Sequence, residues 1–265
     1  MMKKLNIRAL LVMLLAIGLF ISCQKDKYYF DSGTQKGTFD GSVLAFLKSK
    51  PQYFDTLTRV IEIAGMNDYF DKEQDITFFA PTSSTIYKSI RGLNAYLMSN
   101  GRDTVTKLDQ IKPEAWKELL SLYVFKGKNK LKDYPQIDTL NLLAFAGQGY
   151  TSINGRTMSI GVLFNDAVSR NASGVEISRV KYAGYRQLYL SYIPNYATPK
   201  VGLKHAPVAS SDIAPRNGIV HVLAQETNDF NASNQAVWVS KHNFGFHTDI
   251  FINTVQSYGI LPPTP

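Results

Sequence analysis

Thr77-Phe78-Phe79-Ala80-Pro81-Thr82 and Asn217-Gly218-Ile219-Val220-His221-Val222-Leu223 are the two stretches whose reading decides the fold. The first continues the apolar run from Ile76 to Ala80 and stops at a proline. A short unbroken apolar run of this kind reads as a strand buried on both faces. Pro81-Thr82 then turns the chain into a capped helix. The second stretch starts with Asn-Gly, which marks a tight turn, and enters another short buried strand. His221 lies inside that strand, between Val220 and Val222. A histidine in such surroundings reads as a hydrogen-bonded core residue rather than a catalyst.

Outward from the first stretch, the pattern is helical. Ser42 can cap a helix carrying Val43, Leu44, Phe46 and Leu47, and Pro51 breaks it. Phe54, Leu57, Ile61 and Ala64 recur at spacings of three and four, and Gly65 stops that helix. Residues 83–98 read as helical with an interruption near Gly92, and Pro113 can open a helix running to Leu122. Leu122 to Phe125 reads as the strand that follows. The middle of the chain changes to strand patterns. Asn154-Gly155 predicts a hairpin between Tyr150–Ile153 and Arg156–Phe164. Val175–Tyr182 and Gln187–Ile193 predict a second hairpin around Gly184.

The order of these elements resembles a fasciclin-like domain. Ser42-Val43-Leu44, Ile63-Ala64-Gly65-Met66 and the Phe-Ala-Pro-Thr box at Phe79–Thr82 match the family's first half. Leu119 to Lys128 matches its middle segment. Asp212-Ile213 and the Asn217–Leu223 box match its end. The resemblance spans residues 40–226, with insertions at about 140–210. It implies an α+β fold: a β-sandwich or wedge with several helices packed on one side, enlarged by an inserted β-hairpin. It implies binding or adhesion as a class, no catalytic residue and no cofactor. In animal members a Tyr-His pair after the middle helix serves adhesion. Here the pair reads Tyr123-Val124, so that site does not carry over.

The two ends of the chain carry other signals. Met1-Met2-Lys3-Lys4 and Arg8 precede the uncharged run Ala9–Ile21. That run is too short for a comfortable helical span, which needs roughly twenty residues. It suits a signal peptide. Leu19-Phe20-Ile21-Ser22-Cys23 resembles a bacterial lipobox, which makes 1–22 a signal peptide, Cys23 the lipid-attachment residue and 23–39 a tether. Cys23 is the single cysteine, so an internal disulfide is excluded. Gln24, Lys25 and Asp26 resemble the surface-export signal of Bacteroidetes-type lipoproteins. The expected location is the outer membrane, lipid-anchored and facing the cell exterior. Lys3, Lys4 and Arg8 account for three of the +8 formal charges, and no run of five basic residues occurs, so nucleic-acid binding is not expected.

Candidate sites beyond the boxes are few. Tyr182, Tyr185, Tyr189, Tyr192 and Tyr196 crowd the inserted hairpin and form a candidate binding patch, although period-two alternation places some of them in the core. His242, His247 and Asp249 are weak metal candidates, with no metal expected. Thr104 and Thr139 follow aspartates and precede apolar residues, resembling a Bacteroidetes O-glycosylation motif. Trp238, Phe244, Phe246, Ile250 and Phe251 mark residues 227–265 as an extension packed on the domain. The expected role is a non-enzymatic, surface-tethered binding or adhesion lipoprotein. It would contact an outer-membrane protein or a glycan through the inserted hairpin and tail, one version being an accessory subunit of a glycan or peptide uptake complex. The alternatives are a polymer-acting hydrolase and a structural envelope or matrix adhesion protein.

Overall fold

The computed structural model describes residues 37–72, 74–138, 147–224, 226–230, 236–241 and 243–262, with backbone alone for 226–230 and 236–241. Cys23, Gln24, Lys25, Asp26, Thr139 and His242 lie outside the described residues.

The order of elements begins with β1 (Thr38–Phe39), α1 (Val43–Lys48), α2 (Pro51–Ile63), α3 (Asn67–Asp71), β2 (Ile76–Ala80), α4 (Ser83–Ser99), α5 (Pro113–Ser121) and β3 (Val124–Lys126). The local signals explain these helices. Ser42 caps α1 by accepting the Ala45 N–H at 3.1 Å. Pro51 starts α2, where its missing N–H costs nothing. Gly65 ends it at φ 65°, with Gly65 N–H donating to Glu62 O and Met66 N–H to Ile61 O, a Schellman closure. Pro113 opens α5 in the same way.

The expected interruption at Gly92 is corrected: α4 runs through it unbroken. The glycine is there for space. A Cβ would sit 2.8 Å from the Thr248 methyl of α6 (Thr248–Tyr258), which crosses α4 at this point.

The remaining strands are β4 (Gln136–Ile137), β5 (Gln148–Thr151), β6 (Thr157–Phe164), β7 (Ala167–Arg170), β8 (Glu176–Val180), β9 (Arg186–Tyr192), β10 (Lys204–Pro215), β11 (Gly218–Leu223), β12 (Glu226–Phe230) and β13 (Ala236–Lys241). A nine-stranded sheet runs β3-β2-β11-β10-β9-β6-β4, with β1 on β10 and β5 on β6. β10 serves both halves. Its start pairs with β9 and its later part with β11, through register shifts between Val208 and Ile213. Such bulges bend a strand, so the sheet curls into a wedge with the helices on one side. The main core lies between them, built on Phe54, Leu57, Phe70, Phe78, Phe79, Trp116 and Tyr123.

The β5–β6 hairpin turns at Asn154-Gly155, with only Gly155 at positive φ. The second expected hairpin is corrected. β9 pairs with β6 over seven residue pairs, and β8 folds back on β7 across a turn at Asn171–Gly174. Met158, Ile160 and Val162 of β6 meet Leu188 and Leu190 of β9 on one apolar face, whereas β8 offers no residue that buries. Gly184 is the neck where the hairpin leaves the sheet, and a Cβ there would meet Asp166 O at 2.6 Å.

Candidate functional site

The Phe-Ala-Pro-Thr and Asn-Gly boxes lie side by side. β2 and β11 pair in parallel, with Gly218 opposite Ile76, Val220 opposite Phe78 and His221 opposite Phe79. Gly218 has no positive φ; it is required because a Cβ would sit 2.7 Å from Ile76 O and 2.9 Å from a Val43 methyl. Asn217, 3% exposed, fastens this corner. Its Oδ1 accepts the Val43 N–H at 2.8 Å, and its Nδ2 donates to Phe70 O and Lys72 O at 3.1 and 2.7 Å. One side chain thus joins α1, α3 and the entry to β11.

His221 is fully buried. Nδ1 accepts the Asp212 N–H at 3.2 Å, so the proton sits on Nε2, which donates to Asn129 O at 3.0 Å. The ring therefore ties the β10 bulge, where Asp212 has φ 62°, to the loop after β3. Burial pushes its pKa down to about 4, against weaker upward pulls from Asn129 O and Asp212. The imidazole is neutral and enclosed, a structural clip rather than an acid–base group.

A pH dependence follows. The unfolded imidazole titrates near 6.5 and the folded one near 4. Between these values the unfolded chain holds more protons, so acid favours unfolding. The contribution is fully present above pH 6.5 and is lost as the pH falls toward 4, about 3 kcal/mol in all. Urea unfolding at pH 7 and pH 4.5 should show a loss at least ~2 kcal/mol larger in the native chain than in His221→Gln. Equal losses in the two chains would refute this assignment.

The five tyrosines do not form one patch. β9 alternates, so Tyr192 faces the helices and Tyr189 the opposite side. Tyr189 is 2% exposed and packs with Ile137 and Leu163 in a second small core, which removes it from any surface site. Tyr192 is half-buried against Phe246 at 5.8 Å, under the Arg156 guanidinium at 4.0 Å. Tyr196 shares that cation at 5.1 Å and bonds the Thr157 backbone through its hydroxyl. Tyr182 and Tyr185 are exposed at the base of the β7–β8 hairpin.

The tail is also corrected as a contact surface. Phe244, Phe246 and Phe251 are core residues. Tyr123 is fully buried and stacks on Phe246 at 4.8 Å and on Phe244 at 5.5 Å. Its hydroxyl accepts the Gly245 N–H at 2.8 Å. The residue that aligns with the animal adhesion pair is therefore inaccessible here. His247 caps α6 by accepting the Asp249 N–H on Nδ1 at 3.3 Å. Among the described residues no group of three His, Cys, Asp or Glu could hold a metal ion. Thr104 is half-buried in the irregular stretch after α4, beside Val105, whose backbone is held at both ends by the Asn94 amide at 2.8 Å.

The family model for the fasciclin domain matches residues 52–225, which takes in both boxes, the middle segment and the inserted strands.

The chain belongs to the fasciclin domain family.

Fasciclin domains are in general adhesion-related and non-catalytic. A FAS1 domain pair from the insect cell adhesion molecule Fasciclin I aligns with 69% of this chain and 49% of its own, at 18% identity and a TM-score of 0.42. The chain thus spans about half the length of that pair. No curated protein sequence matches the chain. The fasciclin match stops before the tail, yet the fasciclin core includes Phe244, Phe251 and Val255.

Among the described residues, the β7–β8 hairpin of this fasciclin domain carries a group of exposed apolar side chains. Val175, Ile177, Val180 and Tyr185 are 60%, 66%, 57% and 67% exposed. Among the described strands, β7 and β8 pair with each other alone, so each leaves an outer edge free. Arg179 stiffens the base with a fork onto Glu176, at 2.8 and 2.7 Å, and a bond to Asp166 at 2.9 Å. Sequence reasoning found the tyrosines here but missed the aliphatic residues. Val175, Ile177 and Val180 look like ordinary core residues until it is known that none of the described residues covers them.

Proposed function

We propose that the chain is a lipid-anchored, outward-facing, non-catalytic binding protein of a bacterial envelope, and that its projecting hairpin contacts a protein in the outer membrane. The observation that carries this reading is the exposure of the aliphatic residues Val175, Ile177 and Val180 beside two free strand edges. A two-stranded hairpin is marginal alone in water, and exposed apolar edges invite strand addition by another protein. Aliphatic side chains suit a protein partner better than a sugar. The lipobox-like Leu19–Cys23 supports the anchor, and Gln24-Lys25-Asp26 supports outward display. No described helix is long and apolar enough to cross a membrane. The accessory-subunit version, in a glycan or peptide uptake complex, belongs to this reading. The hydrolase alternative loses its central histidine, because His221 is buried and neutral.

Two variants test the reading in cells. Cys23→Ala should abolish incorporation of labelled fatty acid and release the protein from membranes. Ile177→Glu with Val180→Glu should leave it anchored and folded, but should reduce its cross-linking to an outer-membrane protein at least tenfold. Unchanged cross-linking in the double variant would remove the hairpin as the contact.

A further inference from the structure

Two depressions of about 780 and 640 Å³ open side by side along α5. Lys117, Ser121 and Ile153 line both, so the two form one trough. α5 supplies one wall. Glu114, Lys117, Glu118 and Ser121 recur at helical spacing and run for roughly 10 Å at 1.5 Å per residue. The facing wall is the β5–β6 turn. It is held firmly by Ser152 N–H to Arg156 O at 2.9 Å, Ile153 N–H to Val124 O at 2.9 Å, and Arg156 N–H to Asn154 Oδ1 at 2.9 Å.

Four half-buried tyrosines line the two ends, Tyr69 and Tyr150 at one and Tyr192 and Tyr258 at the other. Three have fixed orientations. Tyr150 meets Tyr134 edge-on at 5.2 Å, Tyr192 lies between Arg156 and Phe246, and Tyr258 donates its hydroxyl proton to Glu118 at 2.7 Å.

We propose that this trough binds a strand of neutral polysaccharide. A sugar ring has an apolar C–H face and a rim of hydroxyls, and a partly exposed tyrosine complements both. The charges alternate in sign, with Glu114 and Glu118 beside Lys117 and Arg156, so no single-sign field selects an ionic ligand. The same charged groups oppose an apolar helix, which would desolvate them without returning hydrogen bonds. Sugar hydroxyls both donate and accept and can satisfy carboxylate and ammonium alike. The trough runs past both ends of the shared segment, as a polymer requires. The site is separate from the β7–β8 hairpin and does not depend on what that hairpin contacts.

Affinity electrophoresis of the detergent-solubilised full chain, in gels holding a soluble glucan, xylan or mannan, tests the proposal. Hyaluronan serves as the anionic comparison. At least one neutral polymer should retard the chain more than hyaluronan does. Tyr150→Ala and Lys117→Ala should each weaken that retardation at least tenfold, and Ile177→Glu should leave it unchanged. If Tyr150→Ala lowers the melting temperature, Lys117→Ala and Glu114→Ala carry the test, since both lie at exposed helix positions. The proposal is overturned if none of the three neutral polymers binds, if hyaluronan binds best, or if retardation persists in the trough variants. Loss of cross-linking in the hairpin variants with retardation intact would separate the two sites.

Discussion

A chain ending at Lys241 is expected not to fold. The removed segment carries Phe244, Phe246, Phe251, Ile252 and Val255, all buried. Each such side chain contributes about 1.5–3 kcal/mol by burial, so together they are comparable with a typical total stability of ~5–15 kcal/mol. The loss is also polar. Ser89 Oγ would lose Phe244 O at 2.9 Å, and the buried Tyr123 hydroxyl would lose the Gly245 N–H. Trp116, which has Phe244 and Phe251 each at 5.9 Å, would be opened to water. Circular dichroism and urea titration of the truncated chain should show no cooperative transition. A cooperative transition with a midpoint near that of the full chain would show that the tail is an accessory rather than part of the core. The family match over 52–225 makes this test informative, because the boundary of the family model and the boundary of the folding unit differ.

Asn217→Ala should cost about 3–5 kcal/mol, the largest expected loss from a single small substitution outside the apolar core. It strands the Val43 N–H and removes a donor from Phe70 O and from Lys72 O, the second of which keeps the Gln74 N–H at 2.9 Å. Asn217→Asp is the sharper comparison. It keeps the acceptor for Val43 but turns a donor into a carboxylate facing Phe70 O and Lys72 O, so it should lose nearly as much at pH 7. Its deficit should shrink in acid as the carboxyl gains a proton it can donate. Urea unfolding at pH 7 and pH 4 measures both. An Asn217→Ala cost below ~1 kcal/mol would mean that water replaces the side chain and the corner is not a clamp.

Some parts of this fold are legible in the chain and others are not. Capping and stopping signals are local, and Ser42, Pro51, Gly65 and Pro113 announce their helix ends because each acts on backbone within one turn of itself. Buried strands β2 and β11 are legible because an unbroken apolar run has few other uses. Strand β10 is not. Pro207, Ser210, Ser211 and Asp212 break any alternation, since the strand bulges and divides its length between two pairings. The pairing of β9 with β6 rather than β8 is equally hidden. Both options put plausible strands side by side, and the choice falls to which faces bury.

The candidate binding residues divide in the same way. Their number and type are visible in sequence; their exposure is not. Tyr189 and Tyr192 are three residues apart on one strand and end on opposite faces, one in a sealed minor core and the other at the end of an open trough. The residues of that trough come from α3, β3, α5, β5, the β5–β6 turn, β9 and α6, so no local pattern announces it.

What the sequence determined by itself was the family, the helical half and the two central strands. Their signals are properties of a few consecutive residues. Only the tertiary structure decided which segments the buried His221 joins, that the tail aromatics complete the main core rather than offer a contact surface, and that Val175, Ile177 and Val180 face outward. Each of these depends on what another segment does or does not cover, and burial is a relation between distant parts of a chain rather than a property of any one stretch.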